Sequence, residues 1–133
     1  GFLNYGEGWT LRVNGNVAYA DGFQVNSDAR IKDNIVDSKY GLADVLKLRS
    51  VEYDKKTNGT HEVGLIAQEV EQVMPEFVTT SIIPATEGAA AINGADEISD
   101  LKSVNYAQMV SVLIKAVQEL SAEVTELKKQ LGK

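Results

Sequence analysis

Asn26-Ser27-Asp28-Ala29-Arg30-Ile31-Lys32-Asp33-Asn34-Ile35 sets a hydroxyl five positions before an amine, just after a Gly/Asn-rich segment of strand-like composition. A serine attacks a carbonyl only when a base takes its proton, and a desolvated lysine is one of the few side chains able to do so. With Ser27 as nucleophile and Lys32 as base, the nearest carbonyl is that of Asn26, and the chain would cut itself between Asn26 and Ser27. Two physical conditions attach to that chemistry. Five residues of α-helix turn through ~500°, so the pair shares no helix face and needs a turn between its members or a serine outside the helix proper. Lowering a lysine from ~10.4 to ~7 costs about 4–5 kcal/mol, which demands burial away from carboxylates. Asp28 and Asp33 must therefore point elsewhere.

Working outward, the 133 residues and 14.4 kDa suit one small domain with appendages. The net charge of −6, from 13 basic against 19 acidic residues, argues against a general phosphate- or nucleic-acid-binding surface. There is no cysteine, hence no disulfide or thiolate metal site, and the single histidine, His61, leaves a metal centre only carboxylates. No apolar run approaches the ~18 residues that span a bilayer, and Gly1 to Gly8 does not resemble a signal peptide. The chain opens without methionine, so the expectation is the tail of a longer protein.

Upstream, residues 1–26 alternate in short β-forming runs, Trp9 to Val13 and Val17 to Ala20, broken by Asn14-Gly15-Asn16 and Asp21-Gly22. Hairpins this small need strands from elsewhere, so the segment reads as the end of a fibrous β-shaft. The Gly6-x-Gly8 echo of a phosphate loop lacks its lysine. Downstream, Ser27-Asp28 reads as a helix N-cap, with Ile31 and Ile35 on one helical face. Tyr40 to Arg49 reads as a second short helix, Ser50 to Tyr53 as a strand, and Lys55 to Gly59 as a polar turn. An apolar run from Val63 to Ile66 passes into a helix, Ala67 to Met74, stopped by Pro75. Phe77 to Ile83 reads as extended. Pro84 to Asp100 is small and acidic, and reads as a long loop or arm. His61 reads as a surface residue without a partner.

The last third carries the clearest pattern. Tyr106, Val110, Leu113, Val117, Leu120, Val124, Leu127 and Leu131 alternate in steps of four and three, with valine at a and leucine at d. Glu123 at g and Lys128 at e have the spacing of an interchain pair. A seam this long has no internal partner for its second half, so the chain is expected to oligomerise.

The decapeptide resembles the S-D-x-R-x-K signature that opens the intramolecular chaperone auto-processing domain of phage tailspikes, tail fibres and endosialidases, also found in the myelin regulatory factor. Three further stretches are similar in order: Leu48 to Tyr53, Val63-Gly64-Leu65-Ile66-Ala67-Gln68-Glu69-Val70 running on to Glu76, and Leu101 to Tyr106. The resemblance covers Ser27 to Leu131. It implies a self-cleaving serine peptidase of single turnover, with Ser27 as nucleophile, Lys32 as general base and the cut at Asn26-Ser27. Attack would pass through an ester that water hydrolyses, with backbone N–H groups between Ser27 and Arg30 the natural oxyanion donors. Asp28 and Arg30 match the signature and read as a fold-holding pair or cap ahead of a direct catalytic role; Gln68 and Glu69 also match a family-typical position and read as a polar helix face that orients neighbouring loops, with support for the dyad as the alternative. No cofactor or metal is implied.

The expected fold is α+β: a β-shaft end at 1–26, an auto-processing domain at 27–104 with a flexible arm at 84–100, and a coiled-coil helix at 105–133. Valine at a with leucine at d favours two strands by rule, whereas the resemblance implies a homotrimer around a seam of Val110, Leu113, Val117, Leu120, Val124, Leu127 and Leu131. The partners implied are further copies of the chain and its own upstream shaft, with no nucleic acid and no membrane. The implied setting is phage assembly in the host cytoplasm, with the upstream part ending in the virion tail. A non-cleaving trimerisation module of the same fold is the alternative. A receptor-binding domain has little aromatic surface to recommend it, and a transcription factor lacks a basic DNA-binding segment.

Overall fold

The structure, a computed structural model, describes residues 20–56, 58–82 and 100–132. The expected shaft strands within 1–19, the Gly6-x-Gly8 echo and nearly all of the arm at 84–100 lie outside the described residues. The chain forms two compact units, residues 1–36 and 37–133.

The second unit is mixed α/β, with two small sheets and one long helix. Helix α1 is a single turn, Leu42–Val45. The expected helix over Tyr40 to Arg49 stops early because its last bonds tighten: Lys47 N–H reaches Asp44 O, and Leu48 N–H reaches Val45 O, both at 3.0 Å. That turn leaves Leu46 in solvent and packs Val45 and Leu48 on the core. Strands β1, Val51–Asp54, and β2, His61–Gly64, pair antiparallel with Val51 opposite Gly64 and Asp54 opposite His61. Helix α2, Ala67–Val73, ends at Met74, and Pro75 opens a 3₁₀ turn, Pro75–Phe77. A proline ring suits a first helical turn and offers no N–H to continue a helix. Strand β3, Val78–Ile82, pairs antiparallel with β4, Asp100–Val104.

Helix α3, Tyr106–Gln130, is capped by Asn105, whose side chain accepts from Gln108 N–H at 3.1 Å. Lys128 and Lys129 in its last turn suit the negative end of the helix dipole. Met109, Val112 and Ala116 are its buried stripe. Met74, Met109 and Val112 form the core, with Leu65, Val73, Phe77 and Val104 packed against it. The heptad residues lie one position round the helix, on a different face, and all are exposed, from Val124 at 43% to Leu131 at 70%. Beyond Ala116 every residue of the helix is exposed. That leaves about 14 helical residues, roughly 21 Å of helix, projecting an uncovered apolar stripe.

Candidate active site

Ser27 and Lys32 belong to the first unit, and the local chain conformation explains how they meet. Asp28 is extended, at φ −65° and ψ 136°, and Lys32 is extended again, at φ −127° and ψ 137°. Between them lies one 3₁₀ turn, Ala29–Ile31, closed by Ile31 N–H to Asp28 O at 3.2 Å and Lys32 N–H to Ala29 O at 3.1 Å. Two extended residues flanking a tight turn bring side chains five apart to the same side, as a continuous helix cannot. Lys32 Nζ donates to Ser27 Oγ at 2.6 Å. The expected helical face shared by Ile31 and Ile35 does not form, since the turn ends at Ile31 and both side chains are exposed. Asn34 follows in the left-handed region at φ 54°, which asparagine tolerates better than most residues.

Of the two residues expected at the cap, Asp28 is the one that caps the turn. Its Oδ1 accepts from Arg30 N–H at 2.8 Å and from Arg30 Nε at 3.0 Å, and its Oδ2 from Nη2 at 2.7 Å. The Arg30 side chain, and then its backbone N–H, hold the Asp28 carboxyl below the usual carboxylate range. One of the backbone N–H groups expected as oxyanion donors, that of Arg30, is thereby already engaged. Every described residue of this unit is exposed, and its bulky apolar side chains, Phe23, Val25, Ile31, Ile35 and Val36, lie 65–84% open.

Gln68 and Glu69 sit in the second unit, in the first turn of α2. Glu69 is paired to Arg49, whose Nε donates at 3.2 Å and whose Nη2 forms a second bond. That pairing lowers the Glu69 carboxyl and ties α2 to the segment entering β1. Gln68 is exposed. His61 is at the surface as expected but is not without a partner: its Nδ1 lies 2.8 Å from Asp54 Oδ1 and its Nε2 3.4 Å from Glu52 Oε2. The antiparallel ladder, which sets Asp54 opposite His61, creates this contact, and residues seven apart showed no such pairing in the sequence.

Other contacts had no sequence signal because their members are distant in the chain. Tyr40 Oη donates to Glu76, which also pairs with Lys39 at 2.8 Å, and Lys115 caps the Ser38 carbonyl. Tyr106, counted with the seam, instead turns its hydroxyl inward to accept from Leu65 N–H at 2.8 Å. Lys102 bridges Glu71 and Thr80, each at 3.1 Å. Beside them a cavity of about 590 Å³ is lined by Tyr53, Leu65, Gln68, Lys102 and Tyr106. An apolar groove of about 290 Å³ runs between Leu48, Leu65, Met109 and Leu113. Among the described residues no cluster of His, Asp or Glu could hold a metal ion, and no helix is long and apolar enough to cross a membrane.

An exposed serine bonded to a lysine inside an S-D-x-R-x-K turn, ahead of a small α/β body and a long terminal helix, defines a class. Residues 27–79 match the family model described as "Chaperone of endosialidase", a peptidase family, and over that stretch the chain is similar to it. Among relatives, the long tail fiber protein Gp37 of Enterobacteria phage Ox2 is 32% identical over 121 residues, 86% of this chain and 43% of that protein. The Gp37 of Salmonella phage S16 is 30% identical over 125 residues, 15% of its length. Myelin gene regulatory factor-like A of Dictyostelium discoideum is 29% identical over 136 residues, 92% of this chain and 14% of that protein. The chain thus spans less than half the length of these relatives.

Proposed function

We propose that this chain is an intramolecular chaperone which assembles as a homotrimer through α3, templates the folding of a phage tail fibre or tailspike, and releases itself by autoproteolysis between Asn26 and Ser27. The observation that carries the reading is the 2.6 Å contact between Lys32 Nζ and Ser27 Oγ, within the segment that matches the family. A hydrogen bond of this length is the path along which a neutral amine would take the hydroxyl proton.

In the forward step Lys32 accepts the Ser27 proton as Oγ bonds to the Asn26 carbonyl carbon. The resulting intermediate collapses with cleavage of the Asn26-Ser27 C–N bond, and the proton held by Lys32 passes to the departing Ser27 amine. An ester joins Asn26 to Ser27 Oγ. Water then hydrolyses it, freeing a carboxylate on Asn26 and restoring the serine hydroxyl. The step takes place once, on the chain's own backbone.

A lysine becomes a base when burial disfavours its ammonium. In the single chain Lys32 and the apolar side chains near it in sequence are exposed, so the missing desolvation falls to the assembled state. Cleavage then waits for correct assembly and leaves a fibre that cannot be re-templated, a kinetically trapped product. The upstream product would belong to the virion tail and the released domain to the assembly compartment. The same exposure favours, as a second reading, a trimerisation module that does not cut.

Intact mass of the wild-type chain beside Ser27→Ala and Lys32→Ala decides between them. Two fragments summing to the chain plus one water, split after Asn26 in the wild type alone, are expected. A single uncut wild-type mass would leave only the folding module.

A further inference from the structure

Asp28 and Lys32 stand four positions apart, the spacing at which opposite charges pair along a regular helix. Such a pair would favour the charged amine and withhold the base. The structure avoids it. Both Asp28 oxygens are turned to Arg30, in three bonds of 2.7–3.0 Å, while the extended conformation of Lys32 carries its amine to Ser27 instead. The Arg30 side chain is 89% exposed, and among the described residues its bonds all go to Asp28.

We propose that Arg30 is a positioning residue for the processing reaction, holding the Asp28 carboxylate away from Lys32 so that the Lys32 amine is free to take the Ser27 proton. The inference rests on the self-processing reading for its consequence in rate, but the electrostatic arrangement it describes exists whether or not the chain cuts. The other ionisable groups described on this unit are Asp21 and Asp33, and among the described residues neither is bonded to Lys32. Arg30→Gln acts twice in the same direction: it strips the side-chain bonds from Asp28, releasing Oδ2 and leaving only the backbone N–H of residue 30 on Oδ1, and it removes a neighbouring positive charge. Both changes stabilise the ammonium of Lys32. The double variant Asp28→Asn/Arg30→Gln removes the stray carboxylate while keeping an asparagine oxygen to cap the turn.

The test has two arms. In the full chain carrying Ser27→Ala, which has no nucleophile, the Lys32 titration is followed by the NMR shift of its side-chain Cε. Adding Arg30→Gln is expected to move the midpoint up by roughly half to one pH unit, and adding Asp28→Asn to return most of the shift. With Ser27 present, the first-order cleavage rate after refolding is recorded against pH. Arg30→Gln is expected to cut about three- to tenfold slower at neutral pH, since one pH unit below a midpoint is worth tenfold in base, and to recover its plateau at high pH. A midpoint unmoved in the NMR arm overturns the inference even where the wild type cuts normally. A wild type that never cuts, with the NMR shift present, overturns the self-processing reading and leaves the electrostatic role of Arg30 standing. A merely structural fork would lower the plateau of the single and double variants alike with both midpoints in place, and that result also overturns the proposal.

Discussion

Gly64 sits where a side chain has no room. A Cβ there would lie 2.7 Å from the Tyr106 hydroxyl and 3.2 Å from that of Tyr53. The Tyr106 hydroxyl is held by Leu65 N–H and cannot retreat without giving up that bond. Gly64→Ala should therefore destabilise the second unit by about 1–3 kcal/mol, the cost of an orphaned backbone donor. Urea denaturation at fixed chain concentration checks this, and wild-type stability would mean that the tyrosine clamp is slack. Glu76 offers a pH test at the same scale. Its carboxyl is pulled down to about 2, first by the Lys39 ammonium and then by the Tyr40 hydroxyl and its own backbone. A depressed carboxyl contributes stability that is present above its unfolded value of 4.5 and lost as pH falls towards 2. The thermal midpoint of the wild type should thus fall more steeply between pH 4.5 and 2 than that of Glu76→Gln. The group is exposed, so salt should shrink the difference.

At the scale of elements, α3 carries two apolar stripes with separate duties. The stripe of Met109, Val112 and Ala116 is buried in the chain's own core, whereas Val110, Leu113, Val117, Leu120, Val124, Leu127 and Leu131 face solvent. A carboxylate at Val112, which is 1% exposed, would be buried without a partner. Val112→Asp is accordingly expected to unfold the second unit, seen as loss of its cooperative circular-dichroism transition. Leu120→Asp should leave that transition in place in a monomer and abolish association in sedimentation equilibrium. A trimer that survives Leu120→Asp would remove the seam from the account. The four-and-three spacing made the outer stripe legible in the sequence, because heptad periodicity is a property of one helix. The inner stripe was not legible, since its neighbours Leu48, Leu65 and Phe77 come from elsewhere in the chain.

Over the whole molecule, the proposed cut depends on assembly, so dilution should act on chemistry. Refolded at concentrations too low for association, the chain should cleave at least about tenfold more slowly than when associated, a difference of about 1.4 kcal/mol or more in barrier. A rate independent of concentration would uncouple the two. Local chemistry written in neighbouring residues was readable without coordinates: the Ser27-x₄-Lys32 spacing, the proline that stops α2, the alternation of β1 and the heptads of α3. These depend on backbone propensity and on periods of two and three and a half residues. What only the tertiary structure decided is of another kind. Strand pairing gave His61 its carboxylates, Lys39 and Tyr40 met Glu76, and Leu48, Leu65 and Phe77 closed over the inner stripe of α3. Which residue lies opposite in a ladder, or which side chains close over a helix face, follows from where the chain doubles back, and backbone period alone does not say where that is.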